Sequence, residues 1–305
     1  MRYVVTGAAG FIGSHLLQAL LDHGHDAVGW DAFTDYYDPA LKEENAAGLP
    51  VERIDLVEDP LPLEGVEGVF HLAGQPGVRS FGAVFPQYVR QNILATQRLL
   101  EAAARAGARV VLASSSSVYG DAERYPTPED ATPAPLSPYG VTKLACEHLA
   151  YAFGRQHGLD AVVLRYFTIY GPRQRPDMAV SRMIASAVAG LAFELYGDGT
   201  QTRSFTYVDD AVEATILAME EGGSGATYNV GGGEEVSLLE AIATLERLVG
   251  RQLERVSLPA REGDARRTAA DTARIRSDLG WEPRTSFPEG LEAQWRWAVD
   301  RVAAA

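Results

Sequence analysis

Short apolar, β-branched runs alternate with helix-period stretches through the first half of the chain. The runs Tyr3–Thr6, Ala27–Asp31, Val51–Asp55, Gly68–Leu72, Val110–Ser115 and Ala161–Tyr166 read as strands. Between them, residues Phe11–His23, Val84–Ala106 and Pro138–His157 carry helical patterns. Strand–helix alternation of this kind predicts an α/β fold with a doubly wound parallel sheet covered on both faces. Beyond about residue 170 the pattern changes. A Pro/Arg loop, GPRQRPDM, is followed by helical stretches at Val180–Ala189, Asp209–Glu221, Leu238–Val249, Thr272–Leu279 and Glu289–Val302. Short strands intervene at Glu194–Tyr196 and Ala226–Val230, and Ser237-Leu-Leu-Glu240 has the form of a capping box. The expected organisation is a first domain over residues 1–170 and a smaller α/β lobe over 171–305 on the carboxyl edge of the sheet. Some later segments are expected to return to the first domain.

Composition narrows the function. The 305 residues suffice for a large buried core, and 46% of them are hydrophobic. A net charge of −14 argues against a nucleic-acid or anionic-membrane surface, which needs clustered Lys and Arg. No apolar run reaches membrane-spanning length, and the N-terminus MRYVVTGAAGFIG has no signal-peptide layout. A single cysteine, Cys146, excludes an intramolecular disulfide and fits a reducing, cytoplasmic setting. The six histidines show no metal-ligand spacing, so no metal is expected.

The stretch VVTGAAGFIGSHL is strand, glycine-rich turn, helix. Gly7, Gly10 and Gly13 permit a tight turn and let backbone N–H groups approach a pyrophosphate, while the helix N-terminus adds its positive dipole end. Phe11 and Ile12 stand between the last two glycines. Asp31 ends the next predicted strand, eighteen residues past Gly13, where a carboxylate accepts from an adenosine ribose and repels a 2′-phosphate. NAD is therefore expected in preference to NADP, in a Rossmann-like domain. Asp55 and Leu56, at the third strand end, are placed at the adenine. Leu72, Ala73 and Gln75 of HLAGQ, and Asn92 beyond them, complete the expected cofactor contacts.

Four serines in a row, residues 114–117, follow the apolar run Val110-Val111-Leu112. A linker is the usual meaning of such a tract, but this one falls at a strand's carboxyl end, where open α/β sheets bind ligands. Downstream, Tyr139 and Lys143 are four apart and share a helix face. A phenol ordinarily ionises near 10. A neighbouring ammonium favours its phenolate, suiting it to base catalysis, and the Ser115 hydroxyl is suited to bond the reacting oxygen.

These stretches, with RYFTIYGPRQRPDMA, LYGDGTQTRSFTYVDD and REGDARRTAADTARI, make nearly the whole chain resemble the extended short-chain dehydrogenase/reductases, in particular their NAD-dependent nucleotide-sugar epimerase/dehydratase group. The resemblance implies that Tyr139 takes the proton of a sugar 4-hydroxyl while NAD accepts the C4 hydride, with Lys143 on the nicotinamide ribose. Members that eliminate water or lose a carboxylate typically carry an acid in the strand-end motif. This chain has Ser116 and Ser117 there, which favours epimerisation over a nucleotide-sugar dehydratase. DAFTDYYDPALKEEN and RYFTIYGPRQRPDMA look like UDP-glucuronate 4-epimerases, which implies Ser116, Ser117, Thr168 and Arg175 around the C5 substituent. The resemblance further implies Arg203 and Arg261 at the diphosphate, Tyr196 against uracil, and Arg79 and Asp264 as further substrate contacts. It departs from the family in having Gly74 where Ala is commoner and Ser204 where Asp is usual. The expected substrate is a UDP-sugar, UDP-glucuronate first, with UDP-glucose and UDP-N-acetylglucosamine as alternatives. A non-catalytic NAD sensor is disfavoured by the presence of Tyr139 and Lys143. In this family the helices at 84–106 and 138–157 often pair across a twofold, which implies a homodimer.

Overall fold

Seven parallel strands form the central sheet of this computed structural model, which describes residues 1–77, 82, 84–259 and 266–304. In chain order the strands are β1 (Arg2–Thr6), β2 (Asp26–Asp31), β3 (Val51–Arg53), β4 (Gly68–His71), β5 (Arg109–Ser115), β6 (Ala161–Tyr166), β7 (Thr168–Tyr170), β8 (Phe193–Tyr196), β9 (Thr202–Tyr207), β10 (Thr227–Val230), β11 (Glu235–Ser237), β12 (Arg255–Leu258) and β13 (Arg267–Thr268). The large sheet has the order β10-β6-β5-β4-β1-β2-β3. The chain winds outward from β1 to β3, then returns to β4 on the other side of β1. That reversal opens a crevice at the carboxyl ends of β1 and β4, where this architecture binds ligands. β10 pairs with β6 and so returns from the C-terminal region to the large sheet.

The helices are α1 (Phe11–Asp22), α2 (Pro39–Ala46), α3 (Phe85–Tyr88), α4 (Ala95–Ala106), α5 (Pro138–His157), α6 (Ala179–Ala189), α7 (Val208–Glu220), α8 (Leu238–Val249), α9 (Ala273–Leu279) and α10 (Phe287–Ala304). Side chains alternate across each strand, so neighbours serve opposite cores. Val5 and Phe70 pack with Leu16 and Leu20 of α1 and Ile216 of α7. Val4 and Val69 pack on the other face with Leu99 and Leu100 of α4 and Cys146 of α5. A third cluster unites α6, α8 and α10 over β8 and β9, through Ile184, Phe193, Phe205, Ile242 and Leu291.

Some elements differ from the sequence-based expectation for visible reasons. β3 stops at Arg53 because Asp55 turns the chain: its Oδ1 accepts from Val57 N–H at 2.8 Å, while its own N–H donates to Asp59. The helical run from 85 to 106 is interrupted by π-helical turns at Val89–Leu94. This widened segment sets Asn92 against the backbone of Gln75 and the hydroxyl of Thr142. α2 was not expected, although Asp38 caps it by accepting from Ala40 N–H and Pro39 fills its first turn. The Ser237–Glu240 capping box forms at the start of α8.

Glu147 of α5 and Arg165 of β6 are buried together. Arg165 Nε and Nη2 donate to the two Glu147 oxygens at 3.0 and 2.7 Å, and its Nη1 donates to the Tyr119 hydroxyl and the Glu129 carbonyl. Ser114 donates to Glu147 Oε1 at 2.5 Å. Removing one charge would strand the other in the core. Glu147→Ala is expected to cost about 3–5 kcal/mol, read as a lower midpoint in urea unfolding. Replacing both members with apolar residues should recover much of that loss, and an unchanged midpoint in Glu147→Ala would deny the pair any structural role.

Candidate active site

A cleft of about 790 Å³ follows the carboxyl edge of the sheet from the β1–α1 turn to the loop after β7 and to Arg203 of β9. Gly7 opens the turn with φ +72°, and a Cβ there would lie 2.8 Å from Ala73 N. A Cβ at Gly13 would lie 2.2 Å from the Gly7 carbonyl oxygen. Both positions therefore need glycine, and the backbone is left bare toward the cleft. Gly10 precedes α1 and offers no side-chain cap, so the first N–H groups of the helix are available to an anion. Asp31 ends β2 beside this turn. Its oxygens accept from Ala9 N–H at 3.1 Å and Phe33 N–H at 2.7 Å, which fixes the carboxylate at the cleft wall. These features suit a dinucleotide whose pyrophosphate meets the helix end and whose ribose meets Asp31.

Lys42 of α2 also lines the cleft near Asp31. Its ammonium donates to Thr34 Oγ1 at 3.0 Å and lies 5.1 Å from the centroid of the Tyr37 ring. Burial pulls its pKa down, with Asp31 and Asp35 opposing that fall. Sequence reasoning missed Lys42 because it missed α2, although the Asp38-Pro39 start was there to be seen.

At the other end, Ser137 caps α5 by accepting from Gly140 N–H at 3.0 Å, with Pro138 in the first turn. Tyr139 and Lys143 follow on one face of that helix. Lys143 Nζ donates to the Ala113 carbonyl at 2.8 Å and lies 5.9 Å from the Tyr139 ring centroid. The ammonium is thereby anchored to β5 two residues before Ser115. Ser115 Oγ accepts from Ser117 N–H and donates to Ser117 Oγ, both at 3.1 Å, turning the chain into a 3-10 turn at Ser116–Val118. His71, at the end of β4, is buried between the hydroxyls of Thr6 and Thr96 at 2.8 and 2.9 Å. Burial, aided by the Lys143 ammonium, pushes its pKa down to about 3, so the ring is neutral.

One cleft gathers most of the expected site residues. Gly7, Gly10, Phe11, Ile12, Gly13, Asp31, Asp55, Leu56, Leu72, Ala73 and Gln75 line its first half. Ser115, Ser116, Ser117, Tyr139, Lys143, Thr168, Arg175 and Arg203 line the rest. Asn92 is not at the surface of the cleft: its amide is spent on Gln75 and Thr142 behind the wall. Tyr196 is also away from the lining, with its hydroxyl donating to Glu194 at 2.9 Å. Arg79, Arg261 and Asp264 lie outside the described residues. Gly74 leaves room beside Asn92 and Lys143, since a Cβ there would approach Asn92 Oδ1 to 2.9 Å and Lys143 Nζ to 3.4 Å. Tyr36 and Asp177 line the cleft as well and were not anticipated.

The profile of the NAD dependent epimerase/dehydratase family matches residues 3–231. A UDP-glucuronate 4-epimerase of Thermodesulfobacterium geofontis (strain OPF15) is 36% identical, with the alignment covering 98% of this chain and 97% of that protein. A UDP-glucose 4-epimerase of Mycolicibacterium smegmatis is 38% identical over 95% of this chain and 96% of its own length. Among solved structures, the UDP-glucuronic acid 4-epimerase of Bacillus cereus in complex with UDP-glucuronic acid and NAD superposes with a TM-score of 0.95. It is 40% identical, and the superposition covers 99% of this chain and 100% of that one.

The neutral His71 makes folding sensitive to acid. In the unfolded chain a histidine takes its proton near pH 6.5, whereas this ring takes it only near 3. Between those values the unfolded state binds the extra proton, so stability falls as pH drops through the window and levels below it. His15, pushed down to about 4 by burial, acts in the same direction. His71→Gln is expected to flatten the dependence of unfolding free energy on pH between 6 and 4 by about 1.4 kcal/mol per pH unit. Urea unfolding at stepped pH measures this, and an unchanged slope would mean that His71 does not titrate differently in the two states.

Proposed function

Because this chain belongs to the NAD dependent epimerase/dehydratase family, we propose that it is an NAD-dependent UDP-sugar 4-epimerase that interconverts UDP-glucuronate and UDP-galacturonate. One observation carries the reading: the Tyr139–Lys143 pair, the hydroxyl row Ser115–Ser117, Thr168 and Arg175 face the same cleft as the glycine turn and Asp31. NAD, when bound, supplies a reversible acceptor for the C4 hydride. Asp31 would hold the adenosine ribose, with Asp55 and Leu56 at the adenine and the α1 N-terminus at the pyrophosphate.

The chain's own residues do the rest. Tyr139 Oη takes the proton of the sugar 4-hydroxyl and returns it once the 4-keto ring has presented its other face. Lys143, fixed on Ala113, presents its Nζ on the same helix face as that phenol, where it would hold the nicotinamide ribose. Ser115, turning its hydroxyl from Ser117, would donate to the reacting oxygen. A 4-keto-5-carboxylate is a β-keto acid that loses carbon dioxide readily. In this reading Ser116, Ser117, Thr168 and Arg175 hold the carboxylate in the ring plane, where that loss is disfavoured. None of these hydroxyls is a base fit to take a C5 proton, which argues against a dehydratase. Arg203 serves the diphosphate, and Arg79, Arg261, Asp264 and Tyr196 belong to the same proposed uridine-diphosphate end.

The working unit in this reading is a homodimer. Val89 and Leu94 before α4, and Val141 on α5, are exposed on helices that pack side by side. Among the described residues no helix is long and apolar enough to cross a membrane. A cytoplasmic location completes the proposal, supported by the lone thiol, which forms no disulfide. The mass from light scattering should equal two chains, and a single-chain mass would remove the dimer.

The decisive assay incubates the pure holoenzyme with UDP-glucuronate, UDP-glucose and UDP-N-acetylglucosamine and identifies products by NMR. Inversion at C4 without change in mass, fastest with UDP-glucuronate, is the expected result. Loss of water or carbon dioxide would overturn the reading. Tyr139→Phe should keep bound NAD and lose turnover by at least about 100-fold, and undiminished turnover would dismiss this phenol as the base.

A further inference from the structure

Arg175 already has an anion. Its Nε and Nη2 donate to Asp177 Oδ1 and Oδ2 at 3.0 and 3.2 Å. The fork is taken side-on, so the two Nη1 donors and one Nη2 donor remain for another acceptor. Asp177 in turn accepts from the Tyr36 hydroxyl at 3.2 Å, and the Arg175 guanidinium lies 5.9 Å from the Tyr36 ring centroid. Tyr36 belongs to the loop after β2, on the cofactor side, whereas Arg175 and Asp177 belong to the loop after β7. The three side chains thus join the loop after β2 to the loop after β7, and all of them line the cleft. Gly77 gives Tyr36 its room, since a Cβ there would stand 2.8 Å from the tyrosine oxygen. Tyr139 also lies within electrostatic reach of Arg175. Burial works to raise the pKa of Asp177, but Arg175 and the Tyr36 hydroxyl outweigh it and hold the group below the usual carboxylate range. Asp177 is therefore ionised at neutral pH.

We propose that Asp177, steadied by Tyr36, is a specificity-determining residue: an internal carboxylate that competes with the C5 carboxylate of the substrate for Arg175. This inference rests on the reading of Arg175 as the carboxylate partner. The physical argument is one of charge. With Asp177 on its side edge, Arg175 is largely neutralised before substrate enters. A uronate then places two negative groups on one positive one, and like charges within a few ångströms oppose each other. A neutral hexose meets no such penalty. Asp177 thereby lowers the pocket's preference for an acidic sugar below what Arg175 alone would give. It also offers Arg175 a partner while the oxidised ring turns, when the substrate carboxylate must leave its first position.

The test measures binding in holoenzyme carrying Tyr139→Phe, so that no turnover intervenes. Adding Asp177→Asn keeps the side-chain shape and a hydrogen bond to Tyr36 but removes the charge. Calorimetric affinity for UDP-glucuronate is expected to tighten about tenfold, a change of about 1.4 kcal/mol, and that for UDP-glucose to stay within about twofold. In the otherwise native enzyme, KM for UDP-glucuronate should fall and kcat should fall with it, because the sugar is held too firmly to turn. Tyr36→Phe, which keeps the ring and loses the hydroxyl, should shift uronate affinity the same way by less. In an Arg175→Ala background, Asp177→Asn should have no effect on the preference between the two sugars. Equal shifts for both sugars, no shift, or weaker uronate binding would overturn the proposal, the last by showing that Asp177 only positions Arg175. Thermal unfolding of each variant identifies any that has not folded, and Tyr36→Phe then decides alone. If the native enzyme fails to epimerise UDP-glucuronate while Asp177→Asn still tightens its binding, the functional reading falls and this inference stands.

Discussion

A charge pair sealed in the core, Glu147 with Arg165, ties together the elements that carry Tyr139, Lys143, Ser115 and Thr168. Glu147 lies one turn beyond Lys143 on α5, and Arg165 lies three residues before Thr168 on β6. Ser114, next to Ser115, donates to the same carboxylate. Helix, strand and serine run are thus pinned to one pair of ions. Taking two charges out of water is costly, and the cost is bearable only when their hydrogen-bonding capacity is met. Here Arg165 donates to Glu147, Tyr119 and the Glu129 carbonyl. Any sliding of α5 along the sheet would leave part of that network unmet. The distance from Tyr139 to the hydroxyl row is therefore held by an interaction that touches neither.

The opposite half of the cleft is governed by closeness of backbone rather than by charge. Gly7 and Gly13 have no space for a side chain, because the β4 end and the turn itself press against them. Asp31 is oriented by two backbone N–H groups rather than by a cation. The two halves meet at the reversal in strand order. In the proposed reading this divides the labour: a wall of close-packed backbone carrying Asp31 faces the dinucleotide, and a hydroxyl-rich wall carrying Lys143 and Arg175 faces the sugar.

How far the sequence could be read depended on the range of the interactions involved. The large sheet was legible because its inner strands are buried on both faces; β6 occupies Ala161–Tyr166 as its run of apolar residues implies. Tyr139, Lys143 and Ser115 were legible because helix and strand geometry alone place them. α2 escaped notice because its start is signalled by a cap rather than by a hydrophobic stripe, and Lys42 escaped with it. The π-helical turns at Val89–Leu94 interrupt a pattern that looks like one continuous helix. β7, β11 and β13 are two or three residues long and pair with β9 across segments distant in the chain, so no local pattern marks them. Tyr36 and Asp177 are 141 residues apart, and nothing local to either announces the other.

The loop that begins at Asp31 reaches Tyr36 within five residues. At its start, a carboxylate is set to receive one ligand; at its end, a phenol leans on the counter-anion of a group placed for the other. In the proposed reading, one short loop therefore carries both the ribose contact, Asp31, and the phenol that bears on the counter-anion of Arg175, so the two ends of the cleft share a single piece of backbone.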